Sequence, residues 1–484
     1  MISYFYMTIA GILITLSFTN PQLYFLVWIA FLPVVAALKN KNLKQAFTNG
    51  WLLGIIIMIG SAYWLYYPLL DFSGLPRFFI IVILALLFIL MGLFYACWAL
   101  IFVYVNGKSK IHPFLLACSW VAIEFLRLKF LPGFPLGFIA YTQTGFKSLI
   151  QLTDIGGMFL VTFVVILING YLYKLLQRKR IKFIIPILII IIIILSYGGY
   201  KYTHYNNKEY SEISVGVINT MVAQENKWKS SWIDKNIDKI TTGAREFKDV
   251  SLIIGPETSL TFDIIRNGYY RKRFLKRVNE IDKYIQVGAQ SIKENKKGKY
   301  NSVFLISPQG KIIDRYNKRR LVPFGEYIPF NKTLDLLSQI DVESLQAGEM
   351  EKYFQTASAC WSTSICSEIF YPLLYSGDFD FLINHSNEAW YRESNLHQQM
   401  WSAAVLRAIE YRCSVVRAGN YSWSGLILPS GSYDNIYKQG ENVTLKVKIN
   451  NESTLFQKWG KHIIWGAVII IILSLVIRIY LNRN

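Results

Sequence analysis

Three widely spaced residues, Glu257, Lys318 and Cys366, carry side chains that together could perform acyl transfer. A thiol nucleophile needs a base that removes its proton, and a cation or dipole where the tetrahedral oxyanion forms. Each residue lies in a short distinctive segment: Ile-Ile-Gly-Pro-Glu-Thr, Tyr-Asn-Lys-Arg-Arg-Leu-Val-Pro-Phe-Gly-Glu-Tyr and Ser-Ile-Cys-Ser-Glu-Ile. We therefore predict Cys366 as nucleophile, Glu257 as general base and Lys318 as oxyanion ligand. The ordinary alternatives are a core cysteine, a surface glutamate and a solvated lysine.

The segment from residue 201 to 457 alternates strand-like apolar runs with amphipathic stretches, which predicts a layered α/β domain. The predicted strands are residues 213–218, 250–255, 285–289, 302–306, 359–366, 379–384, 414–418 and 425–428. The predicted helices are residues 232–245, 264–281 and 396–411. Residues 331–350 connect the lysine and cysteine segments, and they are either a surface loop or a mobile lid over the site.

The remaining sequence predicts a membrane domain. Hydrophobic residues make up 53% of the 484 positions, and about 20 apolar residues suffice to span a bilayer. Eight apolar runs are candidates: residues 4–18, 23–38, 47–69, 78–105, 113–126, 158–176, 183–200 and 463–481. The first run lacks a basic leading region and a cleavage site, so we expect a retained helix. We predict three segments: helices 1–7 in residues 1–200, the catalytic domain in 201–457, and helix 8 with a tail in 458–484.

The distribution of charge predicts the orientation of these helices. Residues 1–199 contain only three acids, and the formal net charge of +20 comes largely from lysines and arginines between apolar runs. This pattern is typical of membrane topology, so we exclude nucleic acid as a partner. With a cytoplasmic N-terminus, more of these cations fall in cytoplasmic loops. The catalytic domain is then extracytoplasmic, and both termini are cytoplasmic.

The sequence offers no pattern for a disulfide framework, a metal or a nucleotide. Cys360 and Cys366 are six residues apart in one predicted strand, about 20 Å, which is too far for a bridge; a pairing of Cys360 with Cys413 stays open. The five histidines lack metal-ligand spacing, and a nucleophile-elbow motif and a phosphate-binding glycine loop are absent. We expect neither a metal nor a cofactor.

The order of the three catalytic segments and the residues around each of them resemble those of the nitrilase superfamily of carbon–nitrogen hydrolases. The flanking membrane segments narrow the resemblance to its membrane branch, the apolipoprotein N-acyltransferases, over nearly the whole chain. Ser-Asn-Glu-Ala-Trp at residues 386–390 and Gly-Phe-Pro-Leu-Gly at 133–137 carry the same resemblance. It implies a multi-pass helical domain of about eight helices plus a nitrilase-like αββα sandwich.

The resemblance also implies further site residues. Glu326 and Glu368 would orient Lys318 and the cysteine turn, because a buried ammonium needs anionic partners. Ser367 would support the nucleophile, although the family usually has tyrosine there, which bears on substrate fit. The expected substrate-binding residues are Trp228, Trp390 and Asn387. Glu388 replaces the aspartate that is usual in this loop.

The activity that the resemblance implies is a two-step acyl transfer in the bacterial inner membrane. An acyl chain moves from a phospholipid, expected to be phosphatidylethanolamine, to Cys366 as a thioester. The α-amine of an N-terminal diacylglyceryl-cysteine of an apolipoprotein then accepts it. We expect an integral membrane monomer. The alternatives are a membrane-anchored amidase with water as acceptor and a non-enzymatic lipid-binding or scaffold protein.

Overall fold

The computed structural model describes residues 1–107, 111–130, 133–266, 268–292, 298–328, 344–438, 440–450 and 452–483. The chain forms two compact units. The helical unit comprises Met1–Asn207, Glu393–Tyr411 and Ser453–Asn484, and the α/β unit comprises Lys208–Arg392 and Arg412–Glu452. The three-segment division at residues 200 and 457 stays a prediction. Residues 331–343 of the predicted loop or lid lie outside the described residues.

The α-helices of the described residues include long ones in the apolar runs and short ones in the connecting segments. They are α1 (Ile2–Ser17), α2 (Val27–Leu38), α3 (Leu43–Ala62), α4 (Tyr66–Phe72), α5 (Arg77–Asn106), α6 (Pro113–Lys129), α7 (Lys147–Ile150), α8 (Thr153–Arg178), α9 (Ile184–Ile193), α10 (Gly199–Asn207), α11 (Gln224–Lys227), α12 (Ile233–Arg245), α13 (Gly268–Ile281), α14 (Leu396–Tyr411) and α15 (Leu455–Arg483).

Six helical segments of the described residues are long and apolar enough to cross a membrane. They are Pro21–Leu38, Leu43–Phe72, Arg77–Asn106, Thr153–Arg178, Ile181–Asn207 and Leu455–Leu481. The other two predicted spans are also helical: α1 has 16 residues and α6 has 17. A helix of that length rises about 25 Å, slightly less than the hydrocarbon core. The prediction of a multi-pass helical domain is therefore confirmed.

In the described part of the chain, the α/β unit contains two sheets. Its strands are β1 (Ser211–Val217), β2 (Leu252–Ile254), β3 (Tyr284–Ile292), β4 (Lys299–Ile306), β5 (Ile312–Asn317), β6 (Tyr353–Gln355), β7 (Cys360–Ile365), β8 (Phe381–Asn387), β9 (Ser414–Asn420), β10 (Gly425–Ile427) and β11 (Val443–Ile449). The six-stranded sheet has the order β11-β1-β2-β3-β4-β5, and the five-stranded sheet has the order β10-β9-β8-β7-β6. All eight predicted strands are present, and the nitrilase-like α/β domain is confirmed.

The strand directions bring distant chain segments to common edges. In the six-stranded sheet, β1, β2 and β3 are parallel, and β4 is antiparallel to both β3 and β5. The carboxyl ends of β2 and β5 and the start of β4 therefore lie at one edge. In the five-stranded sheet, β7, β8 and β9 are parallel, so their carboxyl ends also share an edge. Such edges are where α/β sheets place ligand-binding side chains.

Two amphipathic helices stabilise the six-stranded sheet. Ile237 and Ile240 of α12 and Phe274 of α13 are fully buried in one core cluster with sheet residues such as Ile253 and Val287. Burying one such side chain contributes about 1.5–3 kcal/mol. The third predicted helix, α14, is confirmed with unchanged bounds and belongs to the helical unit. All five cysteines are free thiols.

Candidate active site

Two candidate residues, Glu257 and Lys318, lie together with Asn301 at one edge of the six-stranded sheet. Glu257 follows β2, Lys318 follows β5, and Asn301 is near the start of β4, between the other two strands. The Lys318 N–H donates to the Asn301 carbonyl oxygen at 2.9 Å, which continues the ladder between β5 and β4. The sheet therefore brings together side chains that are 61 positions apart in the sequence.

The turn that carries Glu257 packs closely against β3. A Cβ on Gly288 of β3 would lie 2.3 Å from the Thr258 nitrogen and 2.7 Å from the Pro256 oxygen, so this position requires glycine. Thr258 has φ 48°, a left-handed conformation that a β-branched residue adopts only under constraint. His385 Nδ1 is 2.7 Å from the Gly255 carbonyl oxygen and links β8 to the same turn. Both sheets thus fix the position of Glu257.

Lys318 is 1% exposed and makes ion pairs with two carboxylates. Its Nζ lies 2.9 Å from each oxygen of Glu326 and 3.6 Å from Glu257 Oε1. Asn301 Nδ2 donates to Glu257 at 2.7 Å and to Glu326 at 2.9 Å. Burial opposes the charged lysine, but Glu326 and Glu257 outweigh it and hold the pKa of Lys318 well above its usual value. The ammonium therefore stays protonated through neutral pH.

Glu257 has the electrostatic character of a base. Burial raises its pKa, and the charge of Glu326 raises it further, whereas Lys318 and the hydrogen bond from Asn301 lower it. A carboxylate with a raised pKa accepts a proton more readily than an exposed one, which suits general base catalysis.

Cys366 lies where β7 ends and a short 3₁₀ turn, Cys366–Phe370, begins. Its φ of 52° is left-handed, a conformation that costs a non-glycine residue about 1 kcal/mol or more and recurs at functional turns. The side chain is buried. Burial and the charge of Glu257 raise the pKa of the Cys366 thiol far above its usual value, and Lys318 opposes this. The resting thiol is therefore protonated and needs a base.

Glu368 connects the cysteine turn with the segment after Lys318. Its carboxylate accepts hydrogen bonds from the N–H groups of Ile365 at 2.8 Å, Arg319 at 2.7 Å and Arg320 at 3.0 Å, and from the Tyr316 hydroxyl at 2.9 Å. Glu368 is fully buried, and burial raises its pKa, while the backbone donors lower it. The Glu368 side chain thus links β5 and β7 next to Cys366.

The predicted substrate-binding residues occupy different environments. Asn387 at the end of β8 is buried and lies within hydrogen-bonding distance of Gln224 and Asn420. Trp390 follows in the next turn and is partly exposed. Trp228 is 46% exposed, so it is available to a ligand and is not a core residue. Ser367 is partly exposed in the turn after the nucleophile.

Sequence reasoning did not identify three residues of this cluster. Asn301 donates hydrogen bonds to both Glu257 and Glu326. Lys227 is buried and donates to the Glu257 carbonyl oxygen at 3.0 Å. Tyr391 lies close enough to Cys366 that the two groups influence each other's ionisation, although burial is the main cause of its raised pKa. An isolated lysine or tyrosine carries no sequence signal that separates it from a surface residue.

The described residues contain no group of three or more His, Cys, Asp or Glu side chains that could hold a metal ion. The cluster of three carboxylates, two lysines and one thiol is suited instead to proton transfer and nucleophilic attack on an acyl carbon.

Comparisons with known proteins identify the family of the chain. Two family models match the chain: the apolipoprotein N-acyltransferase N-terminal domain over residues 10–171 and the carbon-nitrogen hydrolase domain over residues 220–465. Among solved structures, a carbon–nitrogen hydrolase superfamily protein from Xanthomonas campestris has a TM-score of 0.39 and 15% identity, covering 49% of this chain and 91% of that chain.

Curated relatives match over nearly the full length. An apolipoprotein N-acyltransferase of Geobacter metallireducens is 26% identical over 488 residues, covering 96% of this chain and 93% of the relative. That of Aquifex aeolicus is 29% identical over 440 residues, covering 87% of this chain and 93% of the relative. That of Wigglesworthia glossinidia brevipalpis is 26% identical and covers 91% of each chain. The similarity therefore includes both the helical and the α/β part.

Proposed function

The chain belongs to the carbon–nitrogen hydrolase family, and from that premise we propose that it acylates the N-terminal cysteine of lipoproteins through a thioester on Cys366. The observation that carries this proposal is the cluster of interacting charges formed by Glu257 after β2, Lys318 after β5 and Cys366 after β7, in a chain that also carries helical segments of spanning length. N-acyl transfer in lipoprotein maturation is the activity that the relatives' names give, and their similarity includes the membrane part. The hydrolase alternative is not favoured for the same reason.

The first half-reaction forms the acyl-enzyme. Glu257 takes the proton of the Cys366 thiol, and the sulfur attacks the ester carbonyl carbon of a phospholipid. Lys318 stabilises the negative charge that develops on the carbonyl oxygen. The carbon–oxygen bond of the ester then breaks, and the proton held by Glu257 passes to the leaving oxygen. The products are a thioester and a lysophospholipid.

The second half-reaction consumes the thioester. The α-amine of a diacylglyceryl-cysteine attacks the thioester carbon, and Glu257 accepts a proton from the attacking nitrogen. The carbon–sulfur bond breaks, and the proton returns to the sulfur of Cys366. The product is an amide, and the enzyme is regenerated without a metal or a cofactor.

The position in the cell follows from the loop charges. The excess of lysine and arginine on one side of the spans supports cytoplasmic termini and an α/β unit on the periplasmic side of the inner membrane. Phosphatidylethanolamine as donor and a monomeric enzyme remain parts of this proposal.

Intact-mass measurement of the purified full chain, incubated with phosphatidylethanolamine vesicles, tests the first step. We expect a mass increase of one acyl chain that hydroxylamine removes, and no increase in C366A. An unchanged mass in folded wild-type protein would exclude the ping-pong mechanism.

The acceptor is tested on the isolated acyl-enzyme. A synthetic diacylglyceryl-cysteine peptide should remove the acyl chain faster than water does, and the same peptide with an acetylated α-amine should not. Equal rates with both peptides would favour the hydrolase.

A further inference from the structure

Lys227, the last residue of α11, is 2% exposed. Its Nζ donates to the backbone carbonyl oxygen of Glu257 at 3.0 Å. Burying an ammonium is costly unless polar groups surround it, so a lysine in this position indicates more than packing.

A second partner of this ammonium is Asn387. With its amide oxygen turned toward Lys227, that oxygen lies 3.2 Å from Lys227 Nζ and 3.3 Å from Trp390 Nε1. Lys227 therefore joins the turn after β2 to the turn after β8. Cys366 follows β7, which pairs directly with β8. The ammonium thus links the Glu257 turn with the turn that follows β8, the strand next to the one that leads into Cys366.

The charges around the thiol give this ammonium a further effect. Glu257, Glu388 and Glu326 all disfavour the thiolate of Cys366, and Lys318 favours it. Lys318 is also the ion-pair partner of two of those carboxylates, so much of its field is neutralised. A second cation in this cluster therefore adds to the field that favours the thiolate.

Lys227 and Cys366 influence each other's ionisation. Burial lowers the pKa of Lys227 to about 8, while Glu257 and Cys366 oppose the loss of its proton. Because this coupling is mutual, a protonated Lys227 favours the ionised sulfur.

We propose that Lys227 is a positioning residue of the acylation site: it fixes the turns that carry Glu257 and Asn387, and its charge favours the Cys366 thiolate. This rests on the assignment of Cys366 as nucleophile in the proposed function.

Alkylation of Cys366 by iodoacetamide measures its ionisation without any lipid substrate. The rate is followed between pH 6 and 10 on the full chain in detergent, by mass spectrometry of the peptide that contains Cys366. K227Q keeps a hydrogen-bond donor for the Glu257 carbonyl but removes the charge, and K227M removes both. K229M is the matched control, because Lys229 is exposed and its ammonium donates to the side chain of Asn226.

We expect both Lys227 variants to be alkylated about tenfold more slowly than the wild type below about pH 8, where the wild-type ammonium carries its charge. K229M should match the wild type. The difference should narrow above about pH 8, where Lys227 itself loses its proton. K227M should also lower the thermal midpoint more than K227Q.

Unchanged alkylation profiles in K227Q and K227M, with only a lower thermal midpoint, would reduce Lys227 to a structural residue and overturn the proposal. If the wild type forms no acyl-enzyme with phospholipid, the proposed function fails, yet the alkylation shift still measures the effect of Lys227. The two failures are therefore distinguishable.

Discussion

Replacement of Glu368 by glutamine tests whether one buried carboxylate fixes the turn at Cys366 relative to the segment that follows Lys318. Its Oε1 accepts from Arg319 N and Arg320 N, its Oε2 accepts from Ile365 N, and the Tyr316 hydroxyl is 2.9 Å from both oxygens. A glutamine is the same size, but it has only one oxygen. Its NH₂ group would therefore face at least one backbone N–H.

The magnitude follows from this count. If the amide oxygen takes the Oε1 position, the Ile365 N–H is left buried without an acceptor, which costs about 1–3 kcal/mol. The two remaining backbone bonds lose their ionic character, at about 1 kcal/mol each. Relief from burying a charge offsets part of this loss. A net cost of about 3 kcal/mol, if it falls on the acylation transition state, lowers the rate about 100-fold.

The assay is single-turnover formation of the acyl-enzyme, followed by intact mass, together with the thermal midpoint. Y316F is the matched control, because it removes one donor but leaves the carboxylate and its three backbone N–H donors. We expect Y316F to retain acylation within about fivefold, since one hydrogen bond is worth about 1 kcal/mol. Folded E368Q that acylates within threefold of the wild type, or Y316F as impaired as E368Q, would refute the reasoning.

Three further predictions follow from the same site. K318M should lower the free energy of unfolding by about 3–5 kcal/mol, because it leaves carboxylates buried without a counter-ion; adding E326Q should recover part of the thermal midpoint but no acylation. G288A should slow acylation, since a Cβ there collides with the turn after β2, whereas G268A, with open space at its Cβ, should acylate like the wild type. Burial lowers the pKa of His385 to about 4, so as the pH falls from 6.5 toward 4 the unfolded chain binds a proton that the folded chain does not, and folding stability is lost. Between pH 7 and 5, H385N should therefore show a smaller fall in thermal midpoint than the wild type. An equal fall in both proteins would exclude His385 as the cause of this pH dependence.

Several elements could be predicted from sequence because their signals are local. A helix in a bilayer must satisfy its own backbone hydrogen bonds, so an apolar run of spanning length is sufficient evidence for it. All eight predicted strands and three predicted helices of residues 201–457 are present for a similar reason, since periodicity reports burial of one face. Strands β5, β6 and β11 were not predicted: β5 contains Asp314 and Arg315, and β6 is only three residues long.

The residues of the candidate site also differ in whether the sequence alone could identify them. Glu257, Lys318 and Cys366 could be selected because their segments are distinctive and their side-chain types fit one reaction. Asn301 and Lys227 could not be selected, because their importance lies in contacts with residues far along the chain. Asn301 donates to two glutamates, and Lys227 donates to the carbonyl oxygen of Glu257.

The sequence by itself determined the membrane helices, the α/β alternation, and a chemically consistent set of base, cation and thiol. The tertiary structure alone decided which strand ends meet, which carboxylates surround Lys318, and that a second lysine, Lys227, is buried against the carbonyl oxygen of Glu257. The physical reason is that local structure depends on residues within one or two turns, whereas these contacts depend on strand order and register. Register is fixed only when the sheets pair and their apolar faces are buried.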